Sequence, residues 1–244
     1  MSRSLSLITW NVLHRIHAEN WNEPAIAAYP EEDARVVALT ARIVAAVPAV
    51  DLQLLQEVSG DLLTRLRAQL VPPACVLAMR YPRVPRPRQA SSVLADPAEY
   101  LVVVSAGPAT VVHQIVFSDD RGKGFLAVEH QGVRFVCAHL TYGEDHPGQW
   151  EELAACARSW QQPVVLGGDF NADRATVAAR LGGGFTIGAP APGGRATRPR
   201  AAPSEKSLEI DHVVVRAATI DHVEVLDGSG LSDHNPVLAR LRAE

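Results

Sequence analysis

Short apolar runs rich in Val, Ile and Leu recur along the whole chain, separated by polar breaks and by a few stretches with helical spacing. Residues 5–10 (LSLITW) predict a strand. Residues 31–47 predict a helix, with Val36, Leu39, Ile43 and Val47 on one stripe and acidic residues in the first turn. Residues 50–55 predict a buried strand, after which Ser59 is the natural N-cap of a helix carrying Leu62, Leu63, Leu66 and Leu70. Further strands are expected at 74–79, 91–94, 100–104 and 111–117. Residues 125–130 and 133–138, joined by Gln131-Gly132, predict a hairpin. A helix at 148–160 and a strand at 163–166 follow, then a short helix at 175–181 ended by three glycines. Strands at 209–215, 221–226 and 236–241 close the chain.

So many strands with so few helices, joined by both hairpins and crossovers, predict an α/β (α+β) architecture of two sheets packed face to face with helices outside. A purely parallel doubly wound sheet needs more helices. No internal repeat or long linker divides residues 1–244, so one domain is expected. Two Pro-rich basic stretches, residues 80–88 (RYPRVPRPR) and 195–206, predict long irregular loops.

Composition narrows the class. The chain has 244 residues, 47% hydrophobic and 20% charged, which excludes a disordered or low-complexity protein. No window approaches the roughly 18 uninterrupted apolar residues of a membrane span, and no signal-peptide pattern opens the chain. Cys75, Cys137 and Cys156 are odd in number and form neither metal spacing nor a disulfide framework. A cytoplasmic protein with no membrane association and no evident stable protein partner is expected. The net charge of −4 lacks the basic excess of proteins that coat nucleic acid, so any polyanion must meet a local patch.

The informative polar residues follow the apolar strands. Asn11 follows LSLITW, Gln56 and Glu57 follow DLQLL, His139 follows VRFVCA, and Asp169, Phe170 and Asn171 follow PVVLGG. Ser232, Asp233 and His234 precede the last strand, and Asp211 with His212 sits inside EIDHVVV, where a buried carboxylate needs a partner. Asp211 apart, each alone reads more readily as a turn, capping or surface residue. On one common rim they would hold a hard divalent cation by oxygen ligands, orient a water and stabilise charge on a phosphate.

In order, TWNVL (9–13), LQEV (55–58), AHL (138–140), GGDFNA (167–172), IDHVVV (210–215) and SDHNPV (232–237) resemble the blocks of the endonuclease/exonuclease/phosphatase superfamily. That group includes pancreatic deoxyribonuclease, abasic-site endonucleases, neutral sphingomyelinases, inositol polyphosphate 5-phosphatases and poly(A) deadenylases. The resemblance implies a four-layer α/β/β/α sandwich with the site on one rim of the paired sheets. It also implies roles. Glu57 would be the main metal-binding carboxylate, with Asn11 beside it and Asp233 contributing, and the metal would be Mg²⁺, with Mn²⁺ as a substitute. Asp169 would orient or deprotonate the attacking water and Asn171 would position that water or the phosphate. His139 and His234 would stabilise the pentacovalent state, and Asp211 would orient a catalytic histidine, either of the two.

Departures from subgroups matter as well. Leu13 stands where abasic endonucleases carry an acidic residue, and the tyrosine they place before the general-base block is not evident. The signature blocks of inositol polyphosphate phosphatases and the repeats of deadenylases are also missing, which leaves the deoxyribonuclease, sphingomyelinase and phosphatase side. The expected activity is metal-dependent hydrolysis of a phosphodiester or a phosphomonoester. The substrate would be single-stranded nucleic acid or a phosphorylated small molecule, and Arg121, Arg198 and Lys206 are candidate contacts for it. His14, His17 and Trp21 fall near the same rim, Trp21 either stacking on a base or packing on a helix. A non-catalytic binding module and a lipid-headgroup hydrolase are the other classes. The first predicts loss of Glu57, Asp169 or His234, and the second an exposed apolar anchor.

Overall fold

The computed structural model describes residues 3–88, 94–143, 146–200 and 208–243. Strand β1 (Arg3–Asn11) is followed by two short helices, α1 (Arg15–Trp21) and α2 (Ala25–Ala28), and by α3 (Glu32–Ala46). β2 (Leu52–Ser59) runs straight into α4 (Gly60–Gln69), then come β3 (Cys75–Arg80), β4 (Glu99–Ser105) and β5 (Thr110–Val116). The β6 (Gly124–His130) and β7 (Val133–His139) hairpin precedes α5 (Pro147–Ser159), β8 (Val164–Asp169), α6 (Arg174–Leu181) and β9 (Thr186–Ile187). β10 (Asp211–Arg216), β11 (Ala218–Val225) and β12 (Val237–Ala243) complete the chain.

The strands form two six-stranded mixed sheets, ordered β11-β12-β1-β2-β4-β3 and β5-β6-β7-β8-β10-β9. Each has one parallel pair at its centre, β1 with β2 and β7 with β8, and antiparallel neighbours elsewhere. This is the expected sandwich. Period-two alternation explains its layers. Leu5 and Leu7 of β1, Leu52 and Leu54 of β2, Phe135 and Cys137 of β7, Val165 of β8 and Val213 of β10 fill the core between the sheets. Their neighbours face outward. Ile8, Trp10 and Leu55 pack under α3 and α4, while Val136, Leu166 and Val214 pack under α5 and α6.

Local chemistry sets the element ends. The Ser59 hydroxyl accepts from Leu62 N, capping α4 as its sequence predicts. Gln131 and Gly132 take φ of 52° and 78°, the paired left-handed values of a tight hairpin turn. The expected strand at 91–94 lies mostly outside the described residues, and Leu94 is not in a strand. Helices α1 and α2 carry no stripe long enough to be read from periodicity; α1 is set by local chemistry, the His14 side chain accepting from Ile16 N at its start and Asn22 in the left-handed region at its end. Among the described residues no helix is long and apolar enough to cross a membrane.

Candidate active site

The strand register brings the polar strand ends together. Asn11 lies beside Gln56, His139 beside Asp169, and Asp169 beside Asp211. The parallel strands end, and the antiparallel β10 and β12 begin, on one rim. The alternation that buries Leu7, Phe135, Val165 and Val213 continues to Asn11, His139, Asp169 and Asp211, so all four point between the sheets. All four are at most 2% exposed.

Glu57 arrives by another route. Leu55 pairs with Val102 and Val58 with Tyr100, so Gln56 and Glu57 together oppose one residue of β4. That bulge holds Glu57 at φ 58°, a strained conformation for a side chain of its size, and lets both residues stay on the inner side. Asn11 Nδ2 donates to Glu57 Oε1 (3.1 Å) and to Asp169 Oδ2 (3.1 Å), while His14 N donates to Glu57 Oε2 (3.1 Å). Burial opposes ionisation of Glu57, but the positive side chains around it, His17 foremost, and the Asn11 amide hold its carboxyl well below the usual range.

The other half of the site is a carboxylate–imidazole line. His234 Nδ1 donates to Asp211 Oδ2 at 2.8 Å, and His234 Nε2 faces Asp169 Oδ2 at 3.9 Å, beyond hydrogen-bond length. Asp211 therefore orients His234 and not His139. Burial works against the charged imidazole, yet Asp211, Asp233 and Asp169 outweigh it and raise His234 to about 10. Burial, with Asp211 nearby, lifts Asp169 to about 6, although His234 pulls the other way. At neutral pH the line is thus an imidazolium between carboxylates. His139 differs: burial and the adjacent Lys123 push its pKa well down, and Lys123 Nζ donates to its Nε2. His139 is neutral, and Lys123 is the cation on that side.

Backbone and buried side chains hold these groups in place. Asp169 Oδ1 accepts from Asn171 N (2.9 Å), and Asn171, at φ 49°, donates its amide to Leu140 O (2.9 Å). Ser232 Oγ donates to Asn11 O and accepts from His234 N, while Trp10 Nε1 donates to His234 O. Thr197 Oγ1 accepts from Asp211 N. Arg35, 3% exposed, donates to the carbonyls of Val12, Leu13 and Leu231 and is neutralised by Glu32. It pins the loop after β1 to the loop before β12. Nothing in its sequence context separates Arg35 from a solvated helix residue.

The remaining candidates are spread around this centre. Asp233 Oδ2 is bound by Arg198 (2.8 and 2.9 Å), and Arg198 also reaches Glu23 (3.1 Å), so this arginine and this aspartate spend charge on each other. Arg121 is exposed, and the nearer cation is Lys123, two residues on. Lys206 lies outside the described residues. His212 faces outward, its Nε2 on Ala172 O and its ring tilted against Phe170. Trp21 is 63% exposed with the Arg88 guanidinium 4.2 Å above its ring, so it does not pack beneath a helix.

The donor set fits a divalent cation. Asp169 and Asp211 offer carboxylate oxygens beside Asn11 and Glu57, whereas charged His234, within 4.8 Å of both, has no free lone pair; His17, Glu57 and Glu99 group equally closely. Buried Asp211 Oδ1 has no hydrogen-bond partner among the described residues, the state of a carboxylate oxygen that needs a cation or a water.

Ordered along the chain, these residues match a known profile. That of the Endonuclease/Exonuclease/phosphatase family matches residues 8–234. The chain belongs to this family. Solved structures of similar fold include the endonuclease/exonuclease/phosphatase from Bacteroides vulgatus, with a TM-score of 0.69 at 17% identity, covering 99% of this chain and 100% of that one. Another is TDP2 of D. rerio humanized by 14 mutations, with a TM-score of 0.67 at 16% identity over 98% of both chains. D. rerio TDP2 complexed with a single-strand DNA product has a TM-score of 0.63 at 16% identity, again over 98% of both chains. No curated protein sequence matches the chain.

Proposed function

We propose that this family member is a metal-dependent phosphoric-ester hydrolase that cleaves by in-line attack of water. The observation that carries this reading is the Asp211–His234–Asp169 line facing Glu57 and Asn11 across one rim. Glu57 and Asn11 would hold the cation, Mg²⁺ or in its place Mn²⁺, with Asp169 and Asp211 close by and Asp233 contributing through the Oδ1 that Arg198 leaves unpartnered among the described residues. A bound divalent ion supplies Lewis acidity toward a phosphoryl oxygen.

The chain's own groups do the rest. Asp169, fixed by Asn171 N and Asn11 Nδ2 and ionised above about pH 6, orients a water and accepts its proton. His234, charged and held by Asp211, keeps its Nε2–H for a non-bridging oxygen, whose charge grows in the pentacovalent state. Lys123 adds a second positive charge beside neutral His139. Asn171 fixes the Asp169 carboxylate and the local backbone.

Single-stranded nucleic acid or a phosphorylated small molecule is the substrate class favoured. The D. rerio TDP2 structure with a single-strand DNA product supports the former, as does the exposed Trp21–Arg88 pair. Three unpaired cysteines agree with a reducing, cytoplasmic setting. Phosphorus NMR of reactions with phosphate mono- and diesters tests the reading. New monoesters or free phosphate should appear in the presence of Mg²⁺, and Asp169→Asn should lower the rate about 10²- to 10⁴-fold. Turnover undiminished in Asp169→Asn would overturn it.

A further inference from the structure

Beside the Asn11–Glu57 pair lies a set of groups the reaction above does not use. His17, on α1, contacts Glu99, the first residue of β4, with Nε2 3.2 Å from Oε2. Ligand atoms of His17, Glu57 and Glu99 all lie within 4.8 Å of one another. Neighbouring corners of an octahedral first-row cation stand roughly 3 Å apart, so the 3.2 Å His17–Glu99 separation matches one edge, and Glu57 lies close enough to turn toward the same ion.

The second oxygen of Glu99 marks the cluster as more than a hydrogen-bonded pair. Glu99 is 1% exposed, and its Oε1 has no hydrogen-bond partner among the described residues. Two further polar groups close by are also buried without partners: His14 Nε2 and the hydroxyl of Tyr81. The His14 and His17 rings meet edge on at 5.6 Å, and Tyr81 N donates to Glu99 O. Leaving one such group unsatisfied costs about 1–3 kcal/mol, so Glu99 Oε1, within the cluster itself, calls for a ligand. Two carboxylates make the space suited to a cation and unsuited to an anion. An imidazole nitrogen in the set shifts preference from Mg²⁺ toward borderline cations.

We propose that His17, Glu57 and Glu99 form a mixed nitrogen–oxygen cation site, selective for Mn²⁺, Co²⁺ or Zn²⁺ over Mg²⁺. Glu57 is shared between it and the oxygen-rich Asn11 side. The inference rests on the reading of Glu57 as a metal ligand. Lys123, the nearby lysine, is directed to His139.

The test uses Mn²⁺ as the probe on the whole chain. Pulsed EPR of bound Mn²⁺ should show coupling to an imidazole nitrogen that persists in excess Mg²⁺. That coupling should vanish in His17→Gln yet remain in His139→Gln and His234→Gln. Titration should show Mn²⁺ affinity falling by about 10- to 100-fold or more in His17→Gln and Glu99→Gln, while metal-free melting and circular dichroism report intact folds. Nitrogen coupling that survives His17→Gln, or bound Mn²⁺ with no nitrogen coupling, would overturn the site. Should the variants not fold, Mn²⁺-soaked wild-type crystals decide: an anomalous peak bonded to His17 Nε2 supports the site, and one bonded only to the other carboxylates refutes it. Nitrogen-coupled Mn²⁺ in a protein that turns over no phosphoester with any cation would remove the proposed function but keep the site. Turnover without that coupling would do the reverse.

Discussion

Asp211 and His234 carry the clearest prediction at the level of single residues. The imidazole is fully charged at neutral pH because three carboxylates overcome the cost of burying it. Its pKa rises from 6.5 when unfolded to about 10 when folded. A raised pKa means that the folded state binds the proton more tightly. The resulting stability is therefore fully present below pH 6.5 and is lost as pH climbs toward about 10. Denaturant midpoints of the metal-free protein should fall across that interval. They should fall distinctly less in Asp211→Asn, which removes the main carboxylate partner, and equal pH dependence in the two proteins would contradict the pairing. Asp169 titrates at about 6, so the water-activating form prevails where His234 is still charged, and the two ionisations bracket a working range.

At the level of elements, the site depends on breaks in regular structure. The β2 bulge brings Glu57 inward, and Gly168 lets β8 close on β7: a Cβ there would lie 1.9 Å from Ala138 O, a backbone atom that cannot step aside. The loops between strands and helices are held by Arg35, which joins α3 to the carbonyls of Val12, Leu13 and Leu231. Arg35→Met removes those bonds and strands the buried Glu32 carboxylate. The usual cost of breaking such a pair is ~3–5 kcal/mol. Arg15 remains 3.7 Å from Glu32, so the lower end, about 3 kcal/mol, is expected in chemical denaturation. Weaker metal binding should accompany it, because the Val12–Leu13 link between Asn11 and His14 loses its anchor.

For the whole molecule, the carboxylates gathered between two sheets repel one another until a cation joins them. A cation that binds only the folded state stabilises it by about 2.7 kcal/mol at 100 times its Kd. For a chain of this size that raises Tm by about 5–10 °C. Calorimetry should show this rise with Mn²⁺, its reversal by chelator, and a much smaller rise in Glu57→Gln. An equal rise in Glu57→Gln would place the ion elsewhere.

Most of the fold was legible because strand burial is a local, alternating property. The runs LSLITW, VRFVCA and PVVLGG state their own faces, and the polar residues after them continue the inner face to its rim. Asn11, His139, Asp169, Asp211 and His234 could thus be named as a converging group from order and type. Glu57 could be named from its motif, but not how it reaches the site, since a bulge is set by pairing with β4.

Other features exist only once distant segments meet. The choice of His234 as the partner of Asp211, the capture of Asp233 by Arg198 and the contact of Lys123 with His139 each join residues 16 to 35 positions apart. The approach of Glu99 to His17 spans 82 positions, and Arg35 reaches Leu231 across 196. Periodicity reports which face a residue takes on its own element. Which charge answers which depends on how the two sheets and their loops pack, because electrostatic and hydrogen-bond partners are selected by distance in space and not along the chain.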